Sequence, residues 1–377
     1  MNKHILFFLL VSFSCALPVV ARPGPSMVGE DHDWTGVQAG DAYTCGFKRD
    51  GSLWCWGSAR LFGSDHAEPG GIARVPVCLN RDGSWSSIQI AKDETWHGCK
   101  LDAEGTLWCW GTNFCGEVGD GSVAFRPQPV QVGPAKSWLA FAVHSGLGYD
   151  GTAATCAIRN DRSLWCWGKH KPAHGCGVSK DEPAITRPTP VGPPSARWSD
   201  IEIGGGFICG LRQDGSVSCL GKRFAGCKGM REDEMNPLGG KFTALVESEH
   251  NLCALKADGS VWCWVQDEAG SGGEWRGNEQ LGTGWTSVVL EISHGCGIKQ
   301  DGTLWCWGDN AWGQLGIAKP KSTVPVRVGR KSDWKSVAAG AGHTCGLRSN
   351  GTIWCWGDNS EGQLGVGPGG NTTQRVP

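Results

Sequence analysis

The chain has 377 residues and a formal net charge of −2 at pH 7, and only 19% of its residues are charged. Glycine (59 residues) and tryptophan (21 residues) are abundant, whereas tyrosine occurs only twice. This composition is typical of a large apolar core with many turns. Because the chain carries no global positive charge, it does not favour binding to nucleic acid or to anionic lipid.

The first residues predict export. Lys3 precedes an apolar run over residues 5–11, and small residues end at Ala21, as in a signal-peptidase site. The apolar run is too short to cross a bilayer as a helix. We therefore expect a signal peptide over residues 1–21, no transmembrane segment, and a secreted or periplasmic protein.

Removal of the signal peptide also accounts for the cysteine count. Cys15 would leave with it, so that 18 of the 19 cysteines remain, an even number typical of disulfides in an exported chain. A lipid anchor at Cys15 is the alternative, but the leucine that usually stands three residues before a lipidated cysteine is missing. Residues 22–33 are then a leader before the first repeat.

Cysteines recur in pairs whose members are ten residues apart. In six pairs an acidic residue or asparagine followed by glycine marks the midpoint, which predicts a three-residue hairpin loop such as Arg49-Asp50-Gly51. That loop sets Cys45 directly opposite Cys55, close enough for a disulfide. The seven predicted bridges are Cys45–Cys55, Cys99–Cys109, Cys156–Cys166, Cys209–Cys219, Cys253–Cys263, Cys296–Cys306 and Cys345–Cys355.

The strand that holds each second cysteine is apolar on both faces. The sequence LWCWG at residues 53–57 recurs at 107–111, 164–168 and 304–308, and as IWCWG at 353–357. Because side chains alternate along a strand, the tryptophans share one face, and leucine and cysteine share the other. Both faces need a neighbour, which radially stacked sheets provide.

The repeat length predicts the architecture. Cys55 and Cys355 are 300 residues and six repeats apart, a mean period of 50, which lies in the range of propeller blades. Closing seven sheets into a ring removes their exposed edges. We therefore expect an all-β, seven-bladed propeller as a single domain over residues 34–377, with a linear solenoid as the alternative.

Two segments near the end of the chain carry a family resemblance. Residues 308–316 (GDNAWGQLG) and 357–365 (GDNSEGQLG), with His343-Thr344-Cys345, resemble the repeat of the regulator of chromosome condensation (RCC1) family. The resemblance covers residues 34–376 and implies four-stranded antiparallel blades, with residues 374–376 as the final strand of the last blade. Exported bacterial proteins of this kind include protein inhibitors of β-lactamases.

Four cysteines lie outside the hairpin pairs. Cys115, Cys176 and Cys227 occupy the same loop zone of adjacent repeats, and we predict the bridges Cys78–Cys115 and Cys176–Cys227. A zinc site near Cys176 is the alternative, but no Cys-x-x-Cys pair supports it. We therefore expect no metal and no cofactor.

Irregular segments over residues 169–195, 222–241 and 265–284 are the predicted binding loops, because blades hold such loops in place while the loops vary. The candidate contacts with a partner are Trp275, Trp312, Arg231 and Met235. His97, His294 and His343 each stand two residues before a paired cysteine, and this repetition predicts a shared structural hydrogen bond.

These patterns predict a monomeric, non-catalytic propeller that binds another protein, with enzyme inhibition as a specific form. No nucleophile motif or phosphate-binding loop is present, so no catalytic residue is predicted. A carbohydrate-binding or enzymatic propeller with a site at its central channel is the alternative. Nucleotide exchange or chromatin binding, which the family name suggests, is opposed by export, disulfides and the negative charge.

Overall fold

The computed structural model describes residues 28, 31–58, 71–80, 85–91, 97–146, 152–169, 184–204, 207–221, 240–248, 251–265 and 276–367. These residues form 26 strands in seven antiparallel sheets, here called blades 1 to 7. Blades 1 to 3 contain β1 (Trp34–Ala39), β2 (Tyr43–Lys48), β3 (Leu53–Ser58) and β4 (Ile72–Asn80); β5 (Trp85–Ile90), β6 (His97–Asp102), β7 (Thr106–Gly111) and β8 (Arg126–Lys136); and β9 (Trp138–Gly146), β10 (Thr152–Arg159), β11 (Leu164–Lys169) and β12 (Ile185–Val191).

Blades 4 to 7 repeat this order along the chain. They contain β13 (Trp198–Gly204), β14 (Phe207–Arg212) and β15 (Val217–Gly221); β16 (Ala244–Ser248), β17 (Asn251–Leu255), β18 (Val261–Val265) and β19 (Arg276–Gln280); β20 (Trp285–Leu290), β21 (His294–Lys299), β22 (Leu304–Asp309) and β23 (Lys321–Arg327); and β24 (Trp334–Ala339), β25 (His343–Arg348) and β26 (Ile353–Gly357). Five blades have four strands, and blades 4 and 7 have three within the described residues.

The sheets close into a ring. The first strands of neighbouring blades contact each other, and β1 of blade 1 contacts β24 and β25 of blade 7. The main chain joins the two ends, because the Trp34 amide donates to the Gly351 carbonyl at 3.2 Å. Val28, from the predicted leader, is buried in the same junction against blade 7. The closed seven-bladed propeller is therefore confirmed, and the linear solenoid is wrong.

The predicted hairpin register is confirmed. The Lys48 amide donates to the Ser52 carbonyl at 3.0 Å, and Cys45 pairs directly with Cys55. Each of the seven hairpins holds its cysteine pair as a disulfide, with Cα atoms 4.0–4.1 Å apart. The turn and the cysteines thus specify one register in every blade.

The hairpin of blade 3 shows how strongly that register is held. Gly51 and its counterparts adopt a positive φ, as the third residue of this loop requires. In blade 3 the position is Arg162, which adopts a φ of 68°, a conformation that favours glycine. Packing of the blade therefore holds even an arginine in the shape of the turn.

Tryptophan fills the space between blades. Trp56, Trp167 and Trp356 are fully buried. Each stands edge-on or tilted to the tryptophan that begins the first strand of its own blade, with ring centroids 6.0–6.1 Å apart. The outer tryptophan of the motif is partly exposed and lies under a basic side chain three residues after the first cysteine, a cation–π contact. Five blades show this contact, through Lys48, Arg159, Lys256, Lys299 and Arg348. In blade 4, which lacks the outer tryptophan, Arg212 lies over Trp198 of the first strand instead.

Three buried histidines join neighbouring blades. The Thr44 hydroxyl donates to the Gln363 carbonyl at 2.8 Å, so Nε2–H of His343 must be the donor in its 2.8 Å hydrogen bond with that hydroxyl. The same chain of histidine, threonine and loop carbonyl recurs with His294, Thr344 and Gln314, and with His97, Thr155 and Glu117. The predicted shared hydrogen bond therefore exists, but it joins two blades.

Two sequence expectations need correction. Cys115 is disulfide-bonded, but Cys78 is a buried thiol in β4, so the predicted Cys78–Cys115 bridge is wrong. Cys115 lies in a loop, as its spacing indicates, whereas Cys78 lies inside strand β4 opposite Trp54, which the spacing does not reveal. Cys176 and Cys227 lie outside the described residues, as do residues 374–376. Strands β12 and β19 lie within two segments that were expected to be irregular.

The histidine junction predicts a pH dependence of stability. Burial, with a smaller effect of His294, lowers the pKa of His343 from 6.5 to about 3. In the folded protein its imidazole therefore stays neutral above about pH 3. Between about pH 3 and pH 6.5 the unfolded chain binds more protons than the folded chain, so the free energy of unfolding falls as the pH decreases through this window. In His343→Gln we expect a shallower fall between pH 6.5 and pH 4, measured by urea unfolding. Exposed His32→Gln is the control, and an unchanged slope in His343→Gln would contradict the account.

Glu117 occupies the position of Gln314 and Gln363 in the corresponding loops of blades 6 and 7. Its Oε2 accepts the Cys115 amide at 2.7 Å, whereas Oε1 is buried without a hydrogen-bond partner among the described residues. Burial raises the pKa of this carboxyl. In blade 7 the Gln363 amide completes the same arrangement by donating to Asp358 Oδ2 at 2.9 Å.

We expect Glu117→Gln to increase the free energy of unfolding at pH 7 by about 1 kcal/mol, because the amide removes a buried charge. Because the folded pKa is raised, the gain should disappear as the pH falls towards 4 and the carboxyl becomes protonated. The matched variant Gln314→Glu should destabilise at pH 7. Denaturant unfolding of both variants tests this, and a loss of stability in Glu117→Gln at pH 7 would show that the carboxylate stabilises the loop.

Candidate protein-interaction face

The propeller has two faces that differ in their loops. One, the loop face, carries the connections between first and second strands and between third and fourth strands of each blade. The other, the hairpin face, carries the turns between second and third strands and the links to the next blade. On the loop face the two connections of one blade touch, as where the Asp309 amide donates to the Ser293 carbonyl at 2.8 Å.

Each described long connection on the loop face is organised by one buried asparagine. Asn310 Oδ1 accepts the Leu315 amide at 2.8 Å, and its Nδ2 donates to the Ile317 carbonyl at 2.9 Å. Asn113 and Asn359 accept the amide five residues later in the same way. Side-chain hydrogen bonds of this kind fix a loop without a regular ladder, so these loops present their other side chains in set positions.

The loop face concentrates the exposed apolar side chains. Seven large hydrophobic residues are exposed in the described part of the chain, and five of them lie in loops of this face. The five are Phe114, Val123, Phe125, Ile292 and Trp312. Leu139 and Val324 lie in strands β9 and β23. Exposed apolar residues gathered on one face are typical of a protein-interaction surface.

Trp312, a predicted partner contact, lies in a loop of this face, and 53% of it is exposed. Its amide donates to Gln314 Oε1 at 2.9 Å, and its ring reaches the first loop of blade 7, within 3.4 Å of where a Gly342 Cβ would stand. The indole therefore spans the edge between blades 6 and 7 with a large part open to solvent. A rigid, exposed aromatic of this kind is a typical anchor for a partner.

The other predicted contacts, Trp275, Arg231 and Met235, lie outside the described residues. Sequence reasoning missed Phe114, which is 62% exposed. Phe114 follows Asn113 as Ala311 follows Asn310, so an alignment of the repeats would have shown an aromatic residue where another blade has alanine. Val123, Phe125 and Ile292 carry no comparable signal, because single apolar residues in loops are common.

The central channel is lined by the first strands, where Asp200 and Glu202 place two acidic residues on blade 4. Burial raises the pKa of Asp200. Its carboxylate is engaged with the main chain, because Oδ1 accepts the Ile201 amide at 3.0 Å and Oδ2 accepts the Leu245 amide of blade 5 at 3.2 Å. Asp200 thereby joins two inner strands, a structural role.

Among the described residues, no group of three or more His, Cys, Asp or Glu side chains could hold a metal ion. Within the same ranges, no helix is long and apolar enough to span a membrane.

The comparisons with known proteins agree with this architecture. Two family models described as "Regulator of chromosome condensation (RCC1) repeat" match residues 301–347 and 334–363. The crystal structure of Prp20p from Saccharomyces cerevisiae, reported with its binding properties to Gsp1p and histones, is similar with a TM-score of 0.66 and 20% identity, covering 91% of this chain and 86% of that one.

Two more solved structures show the same fold. Human WBSCR16 matches with a TM-score of 0.63 and 14% identity, covering 85% of this chain and 88% of that one. The structure of Kap60 bound to yeast RCC1 (Prp20) matches with a TM-score of 0.66 and 19% identity, covering 96% of this chain and 90% of that one. At these identities the likeness concerns the fold alone. Residues 301–363 therefore match the repeat of the regulator of chromosome condensation family, and the chain has the seven-bladed propeller fold of the RCC1-like structures.

Proposed function

We propose that this protein is an exported, non-catalytic propeller that binds another protein through its loop face. The observation that carries the proposal is the placement of five of the seven exposed large hydrophobic residues on that face, in loops held by buried asparagines. Pre-organised loops lose little conformational entropy on binding, so exposed anchors on them contribute more to affinity.

Export is supported by the cysteines. Seven hairpin disulfides are expected to form and persist in an oxidising compartment, outside the cytosol. The signal-peptide pattern over residues 1–21 points to the same secreted or periplasmic location.

A binding role without catalysis is supported by the titratable groups. The three junction histidines are buried in hydrogen bonds between blades, and Asp200 is bonded to main-chain amides, so these groups serve the fold. Solved structures of similar fold include one in complex with Kap60 and one reported with its binding to Gsp1p and histones. All of these partners are proteins. Inhibition of an enzyme, by a loop face that covers its active site, is a specific form of this proposal.

The test uses the full oxidised chain, immobilised and exposed to the envelope and medium of its native host. We expect one protein to be retained stoichiometrically, and retention to fall at least about tenfold in the double variant Phe114→Ala/Trp312→Ala. Val324→Ala is the matched control, because Val324 is as exposed as Phe114, at 62%, but lies in outer strand β23. Equal retention by both variants, or retention of glycans alone, would contradict the proposal.

A further inference from the structure

The loop of blade 2 over residues 112–125 exposes more apolar surface than any other described loop. Phe114, Val123 and Phe125 are 62%, 48% and 46% exposed. Isolated apolar residues on a surface are ordinary, but three in one short loop form a patch. Together with Arg187 of β12 in blade 3, we call these residues the blade-2 patch.

Hydrogen bonds bring the two ends of this loop together. Asn113 Nδ2 donates to the Ser122 carbonyl at 3.0 Å and to the Ala124 carbonyl at 3.1 Å. These bonds hold the main chain next to Phe114 beside the main chain on both sides of Val123. The three apolar side chains are therefore attached to neighbouring parts of one compact loop.

The loop is also fastened to blade 3. The Gly121 amide donates to the Thr186 carbonyl at 2.8 Å, and Gly116 packs against the main chain of Ile185 and Thr186. At its far end Asp120 binds Arg126 with a distance of 2.6 Å between Oδ2 and Nε. A surface held by two blades is already in its binding shape, so a partner does not have to order it.

Among the described residues, the exposed charge next to the patch is positive. Arg126 is neutralised by Asp120, and the Glu117 carboxylate is buried beneath the loop, where its Oε2 accepts the Cys115 amide. Arg187 is exposed, its guanidinium lies against Gly121, and it forms no ion pair within the described part of the chain. The patch therefore offers apolar surface beside one uncompensated guanidinium, which can bind a carboxylate through two hydrogen bonds.

The corresponding loop of blade 6 has a different character. There the exposed Trp312 is accompanied by Asp309 and Lys319, which are both exposed. Among the described loops, only that of blade 2 combines three exposed apolar side chains with a neighbouring arginine, Arg187 of blade 3, that forms no ion pair with a described residue. The loops of blades 2 and 6 therefore present different chemical groups to a partner.

We infer that the blade-2 patch binds a segment of a protein partner that carries a large apolar side chain next to an aspartate or glutamate. This inference rests on the proposed function and names the chemistry of one contact within it. The apolar side chain packs on Phe114, Val123 and Phe125, and the carboxylate binds the guanidinium of Arg187.

The probe is a phage-displayed library of random twelve-residue peptides, selected on the full oxidised chain. We expect enriched peptides to share an aromatic or large aliphatic residue beside Asp or Glu. For a synthesised peptide, fluorescence anisotropy should show binding at least about tenfold weaker to Phe114→Ser and about threefold to tenfold weaker to Arg187→Glu. Val324→Ser, another large exposed apolar residue changed to serine, should bind as the unchanged chain does, and thermal unfolding checks that each variant is folded.

The inference would be overturned by the absence of any enriched peptide, by the enrichment of basic peptides, or by binding that Phe114→Ser and Arg187→Glu leave unchanged. Peptides whose binding depends on Trp312 but not on Phe114 would also overturn it, while leaving the proposed loop-face function in place. Failure of the proposed function has a different readout. In that case the Phe114→Ala/Trp312→Ala variant would retain the partner protein from the host as well as the Val324→Ala control does.

Discussion

The structure depends on the contact between neighbouring blades. Each hairpin is apolar on both sides, so a blade alone would expose tryptophan on one face and leucine on the other, and only a neighbour on each side covers both. At three junctions a histidine, a threonine and a loop carbonyl add a buried hydrogen-bonded chain. One of these chains joins blade 7 to blade 1, so the ring closes with the same contact that builds it.

That contact also links the core to the long loops of the loop face. The carbonyls that accept from Thr44, Thr155 and Thr344 belong to Gln363, Glu117 and Gln314, residues of the long loops. A loop of one blade is therefore fastened to the next blade at its centre. The residues between the fastened points, such as Phe114 and Trp312, can differ from blade to blade without loss of the fold, and this freedom is what a binding surface needs.

Much of this fold was predictable because its signals are local and repeated. The hairpin loop alone sets the register of each cysteine pair, and Arg162 shows that the turn persists even where glycine is missing. The wrong Cys78–Cys115 pairing has a physical reason, since spacing along the chain does not report that Cys78 lies inside strand β4 whereas Cys115 lies in a loop. The junction role of His343 was equally hidden, because its partner Thr44 is 299 residues away in sequence.

The binding surface was only partly predictable. Trp312 stood out because it is a tryptophan outside the repeated positions, whereas Phe114 stands out only when the loops of blades 2 and 6 are aligned on Asn113 and Asn310. Arg187 lies in blade 3 and joins the patch only through packing against Gly121. Such contacts between blades depend on the closed ring, which local sequence patterns do not describe.

The most direct test of the central claim places a photo-crosslinking residue, p-benzoylphenylalanine, on each face of the full chain in its native host. Position 114 represents the loop face, and position 213, an exposed residue in a turn of the hairpin face, is the control. The account predicts a covalent adduct with one protein from position 114 and none from position 213. An adduct from position 213 alone, or no adduct from either position, would contradict a protein-binding loop face.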